Sequence, residues 1–91
     1  MAYFNITANG QTAAVKSPGT RVHVLLTGTF DSATVVLQFL DDQSTPAWTN
    51  ITGASWTSAT STVIELAPTQ YDLRFSTSGV VTASDIDATL K

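Results

Sequence analysis

The stretch that decides the fold is RVHVLLTGTFDSATVVLQFL, residues 21 to 40. Its first half places Val22, Val24 and Leu26 on one side of an extended chain and Arg21, His23 and Leu25 on the other, the period of two that belongs to a strand. Asp31-Ser32 interrupts the run with turn-forming residues, after which ATVVLQFL (33 to 40) resumes. This second run is apolar at both parities: Val35, Leu37 and Phe39 oppose Val36 and Leu40. A central strand covered on both sides reads this way, so the reverse face carrying Val36 and Leu40 is expected to meet either the rest of the domain or a partner.

Outward from that stretch the alternation continues, and no segment holds a helical spacing over ten or more residues. AYFNITA (2 to 8) stops at Asn9-Gly10, a tight-turn dipeptide, which predicts a hairpin with QTAAVK (11 to 16). Ser17-Pro18-Gly19 ends that ladder. AWTNI (47 to 51) and TVIELA (62 to 67) read as strands joined by a Thr/Ser/Gly/Ala loop over 52 to 61 that contains Trp56. QYDLRFST (70 to 77) sets Tyr71, Leu73 and Phe75 inward and Asp72, Arg74 and Ser76 outward, Ser78-Gly79 turns the chain, and the last run, 80 to 91, puts Ile86, Ala88 and Leu90 on one side. About seven or eight short strands predict a single all-β domain over 1–91, an antiparallel β-sandwich of immunoglobulin-like or jelly-roll-like type.

Composition narrows the function. A chain of 91 residues supports one thin core, so burial against other copies is an expected source of stability. Without cysteine there is no disulfide and no thiolate metal site. Lys16, Arg21, Arg74 and Lys91 are scattered, forming no basic patch for a phosphate backbone or an anionic membrane, and no segment has the length and apolarity of a span. Only 12 % of residues are charged, against roughly 25 % in an average domain, with threonine and serine in their place. Such a surface suits a protein covered by neighbours. Met1 and Lys91 are expected to bound a complete chain made in the cytoplasm, since no signal peptide opens it; in that compartment the sequons at Asn5 and Asn50 are incidental.

Each chemically suggestive residue also has a plain structural reading. Trp48 is expected to cap one end of the core, while Trp56 is divided between an interface anchor and the core edge, with sugar stacking third. Asp31 and Asp41-Asp42 sit at expected turns. Asp85 and Asp87 share one side of a strand and read as edge charges that discourage sheet-to-sheet aggregation; neither set completes a calcium site. His23 is the single histidine, expected to be an outward strand residue, and no nucleophile elbow accompanies it. The expectation is therefore no enzyme, no metal and no cofactor, with Val36, Leu40 and Trp56 as candidate interface residues. A carbohydrate-binding module using Trp48 and Trp56 is the alternative from another class, and a secreted immunoglobulin-like adhesion domain a third.

The segments GTFDSATVVLQFLDDQSTPAW (28 to 48) and VIELAPTQYDLRFSTSG (63 to 79) resemble small structural proteins of tailed-bacteriophage virions. The matching positions are Gly28, Phe30, Thr34, Val35, Leu37, Gln38, Asp42, Trp48, Tyr71, Leu73, Arg74, Phe75, Ser78 and Gly79, within residues 22 to 82. The Tyr71, Leu73, Phe75 spacing is also similar to the sixth strand of immunoglobulin-like sandwiches. The phage resemblance implies a β-sandwich with a structural role, decorating capsids or forming parts of head or tail. Its expected partners are other copies of itself, as a homotrimer, and virion proteins such as the major capsid protein. The short N-terminus, without a long arm, fits surface decoration better than cementing of capsomers.

Overall fold

The computed structural model describes residues 2–17, 19–41, 47–66, 72–81 and 84–91. Every regular element among them is a strand: β1 (Ala2–Ile6), β2 (Gly10–Gln11), β3 (Val15–Lys16), β4 (Arg21–Thr29), β5 (Thr34–Asp41), β6 (Ala47–Trp56), β7 (Thr60–Glu65), β8 (Asp72–Ser78) and β9 (Asp85–Leu90). They form two antiparallel sheets, one in the order β1-β9-β4-β7 and the other β2-β8-β5-β6, with β3 also on β8.

The pairings are nested. β1 pairs with β9, β2 and β3 with β8, β4 with β7, and β5 with β6. The chain is thus one long antiparallel ribbon folded at the β5–β6 connection and rolled until β4 meets β9 and β5 meets β8. That is the jelly-roll arrangement, so of the two sandwich types expected this is the one adopted. Rolling explains why neighbours in sequence, β4 and β5 among them, lie in different sheets.

The alternation sorts the core as expected. Val22, Val24 and Leu26 from β4, Val35 and Leu37 from β5, Leu73 and Phe75 from β8, and Ile86 and Ala88 from β9 are fully buried between the sheets. Phe4 meets Phe75 edge-on, ring centroids 6.0 Å apart, and ties β1 to the opposite sheet. β2 and β3 act as one edge interrupted at Thr12, whose N–H donates to the Phe75 carbonyl at 2.9 Å while its Oγ1 accepts from the Phe75 N–H at 3.0 Å.

At one end of the sandwich the connections are stitched together. Asp31 takes a left-handed φ of 51° in the β4–β5 turn, and the neighbouring Ser32 Oγ donates to the Gly79 carbonyl at 2.7 Å. The buried Ser84 Oγ donates to the Phe30 carbonyl at 3.0 Å and accepts from the Val81 N–H at 3.1 Å.

Several expectations need correction. Asn9-Gly10 makes no hairpin: β1 and β2 belong to different sheets, and the Asn9 side chain accepts from the Val80 N–H at 2.8 Å as the chain crosses between them. The expected loop over 52 to 61 is mostly strand, because β6 runs to Trp56 and β7 begins at Thr60. The cause is a local irregularity in which the residues from Asn50 to Ser55 oppose only those from Val36 to Gln38, with Gly53 at φ +80°. Asp85 and Asp87 do not guard an edge, since β9 lies between β1 and β4. The positions expected of Asp42, Pro46 and Tyr71 lie outside the described residues.

Candidate functional site

β5 supplies the organising strand of the candidate site. Its even positions, Val36, Gln38 and Leu40, face away from the core and are half-buried by their neighbours across the sheet. Register then sets those neighbours: Leu40 faces Trp48 of β6, Gln38 lies between Asn50 of β6 and Arg74 of β8, and Val36 lies between Ser55 and Ser76.

These side chains lock together. Arg74 Nε donates to Gln38 Oε1 at 2.8 Å, and Gln38 Nε2 donates to Asn50 Oδ1 at 2.7 Å. The Arg74 guanidinium carbon stands 4.3 Å from the Trp48 ring centroid, within cation–π range. The relay defines the orientation of the Gln38 amide and holds both Arg74 and Trp48 against a rigid strand layer. Beside it, Lys16 Nζ contacts Asp72 Oδ1 at 2.6 Å, an exposed pair that adds little stability. The face is broad and carries little net charge. An aromatic, an arginine and aliphatic side chains on a preformed surface are what protein interfaces concentrate at their centres.

Trp48 therefore does not cap the core as expected. Its strand partner Leu40 faces outward, so Trp48 does too. Trp56 sits opposite Val35, a fully buried residue, and packs on the edge of the core. Of the three candidate interface residues, Val36 and Leu40 share the outer face of the second sheet, whereas Trp56 belongs to its inner side. The cluster of Trp48, Arg74, Gln38 and Asn50 was missed at the level of sequence. Its signal was the common parity of Gln38 with Val36 and Leu40, and of Arg74 with Asp72 and Ser76.

Elsewhere the chemistry is sparse. His23 Nε2 lies 2.7 Å from Ser61 Oγ on the outer face of the first sheet, the spacing of a base and a nucleophile. Both residues sit on regular strands, with no positive φ at Ser61, and no described carboxylate hydrogen-bonds the histidine. The geometry is that of a cross-strand hydrogen bond. Asp85 and Asp87 face β1, where Asn5 Nδ2 donates to Asp85 Oδ1 at 2.7 Å and to Asp87 Oδ1 at 3.1 Å, and the Tyr3 hydroxyl donates to Asp87 Oδ1 at 2.6 Å. That hydrogen bond to Asp87 raises the Tyr3 pKa, with slight burial and the charges of Asp87 and Asp85 adding to it. Among the described residues no three of the His, Asp and Glu side chains converge as a metal site.

A groove of about 460 Å³ runs between β1 and β2, lined by residues 3–12 and Thr77. Tyr3 is its one ionisable side chain, so the groove brings together no acid and base. Among the described residues no helix is long and apolar enough to cross a membrane. Comparison of the chain with protein-family models, with curated proteins and with solved structures gives no match.

Proposed function

We propose that this chain is a non-enzymatic structural protein of a bacteriophage virion, a capsid decoration or accessory subunit that works by protein–protein contact through the outer face of its second sheet. The observation that carries the reading is the Trp48–Arg74 stack held by Gln38 and flanked by Leu40 and Val36. Arginine and tryptophan dominate binding energy where they are preorganised and desolvated by a partner, and here both are already positioned. Gln38, Trp48 and Arg74 are also among the residues that carry the phage resemblance. Five further matches, Phe30, Val35, Leu37, Leu73 and Phe75, belong to the core beneath them.

The jelly roll is compatible with this role but does not select it, because viral capsid domains, lectins and cupins share the architecture. The partners proposed are the major capsid protein and other copies of the chain, repeated over a particle so that modest individual contacts add up. Nucleic acid is disfavoured: Lys16 and Arg21 face Asp72 and Glu65, and Arg74 faces Trp48, which leaves no cationic stripe.

A second reading draws on the same cluster. An outward tryptophan beside arginine and amide side chains can also stack and hydrogen-bond a sugar ring, as a carbohydrate-binding module does. The two readings separate at Trp48, since Trp56 faces the core and its removal would confound folding with binding. In co-sedimentation with empty capsids and isolated tails of the phage that encodes the chain, the protein is expected to pellet with one of them, and Trp48→Ala to release it. Protein that stays in the supernatant with both refutes the proposal. Retention on a glycan array that Trp48→Ala abolishes would establish the sugar reading instead.

A further inference from the structure

An open sandwich has four edges, and this one guards three of them. β1 is the shorter edge of its sheet, five residues against six in β7, and its outward Tyr3 and Asn5 are hydrogen-bonded to Asp87 and Asp85 of the inner strand β9. The β2/β3 edge is broken into two-residue pieces and bears Lys16. β6 is distorted by the irregularity at Gly53. Short edges, charges and bulges are the usual defences against pairing with another chain.

β7 is the least defended of the four. It is an unbroken strand, TSTVIE, alternating strictly between half-buried and exposed positions, without glycine, proline or bulge. Its one charge, Glu65, lies 3.6 Å from Arg21 of its own sheet. Val63 is 55 % exposed, one of three large apolar side chains so exposed among the described residues. No charged residue occurs from Gln43 to Ile64.

We propose that β7 is a self-association edge, at which two copies of the chain pair antiparallel about a two-fold axis at Val63. Its outward row, Ser61, Val63, Glu65, matches its own reversal. Val63 falls opposite Val63 of the second copy, and each Ser61 falls opposite the other copy's Glu65. The Ser61 hydroxyl, when it accepts from His23 Nε2, keeps its own proton to donate to that carboxylate. The two Glu65 side chains stay about 13 Å apart along the strands, four residues at roughly 3.3 Å each, so no like charges meet. This self-matching selects a second copy over an unrelated strand. Two four-stranded sheets then join into one continuous sheet through β7. The contact is isologous and makes pairs; a three-fold assembly needs another surface. The inference stands on the edges alone and does not depend on a virion role.

Because the chain has no cysteine, single cysteines report the register directly. Under mild oxidation Val63→Cys is expected to give a covalent dimer and Ser61→Cys alone to give none. An equimolar mixture of Ser61→Cys and Glu65→Cys chains is expected to give the mixed dimer. In light scattering, wild type should show twice the chain mass, and Val63→Lys should weaken the pair by roughly tenfold or more by placing two ammonium groups face to face. Circular dichroism confirms that the exposed substitution leaves the fold intact. A strict monomer at the highest soluble concentration overturns the proposal. So does a dimer or trimer that Val63→Lys leaves intact, or Val63→Cys cross-linking no faster than Ser61→Cys.

Discussion

Replacing Gly28 with alanine tests the register on which the roll closes. Gly28 pairs with Ile86 where β4 meets β9 and adopts φ +103°, and a Cβ built on it would land on the Asp85 carbonyl oxygen. Two costs then combine. A non-glycine residue held at a positive φ costs about 1 to 3 kcal/mol, and forcing an atom into an occupied position costs about 1 to 3 more. Their sum, about 2 to 6 kcal/mol, is a large part of the roughly 5 to 14 kcal/mol expected for a domain of this length. Gly53 isolates the first cost, since its φ is +80° and nothing lies near its notional Cβ. Gly19, with open space and no positive φ, is the reference. In urea unfolding followed by tryptophan fluorescence, Gly28→Ala should lower the midpoint by more than about 1 M. Gly53→Ala should cost about 1 to 2 kcal/mol, and Gly19→Ala should be neutral or slightly stabilising. Equal losses for Gly28→Ala and Gly53→Ala would refute the close approach of β4 to the Asp85 carbonyl.

The two tryptophans should respond differently: Trp56→Ala, which opens the core edge, should cost about 2 kcal/mol, below the 3 to 5 of a fully buried aromatic, whereas Trp48→Ala should cost less in the same denaturation assay. A double-mutant cycle on Trp48 and Arg74 should give a coupling of about 0.5 to 1 kcal/mol, the range for an exposed cation–π pair. Ser84→Ala strands the Phe30 carbonyl and the Val81 N–H, and should cost about 1 to 3 kcal/mol by calorimetry at matched scan rates. Tyr3 should titrate above the ordinary tyrosine value in ultraviolet absorbance, and Asp87→Asn should bring it down. Since the folded pKa is raised, the stability it confers is full below the ordinary tyrosine value, near pH 10, and is lost as pH climbs through the raised folded value; Tyr3→Phe should abolish that alkaline loss.

Much of the fold was legible because alternation is a local property. Val22, Val24 and Leu26, or Leu73 and Phe75, announce the buried side of a strand wherever that strand goes. Pairing was less legible, because a jelly roll joins the beginning of the chain to its end. Nothing near Tyr3 indicates that its partner will be Thr89, or that its hydroxyl will reach Asp87. Asn9-Gly10 misled for a related reason: a local turn signal predicts a hairpin only if the following strand is free to return, and β2 is claimed by β8. In β6 the alternation slips between buried Ile51 and buried Ala54, and a slipped strand rich in Thr, Ser and Gly looks like a loop. That slip also hid which tryptophan faces outward.

On the reading proposed above, β5 separates stability from recognition. Its odd positions, Val35 and Leu37, are fully buried and connect the two sheets, while its even positions, Val36, Gln38 and Leu40, carry the outer cluster. Neighbouring residues on one rigid strand thus serve opposite surfaces, and the core that orders the strand also preorganises the face. If a partner covers Trp48 and Arg74 as proposed, little ordering entropy remains to be lost, so a weakly charged surface can bind without a deep pocket. The same geometry makes the outer cluster mutable without unfolding, because truncating Gln38 or Arg74 leaves no cavity between the sheets. Loss of binding with retained stability at these even positions is therefore the signature of a recognition face. Equal loss of both would assign the cluster to holding β5, β6 and β8 together.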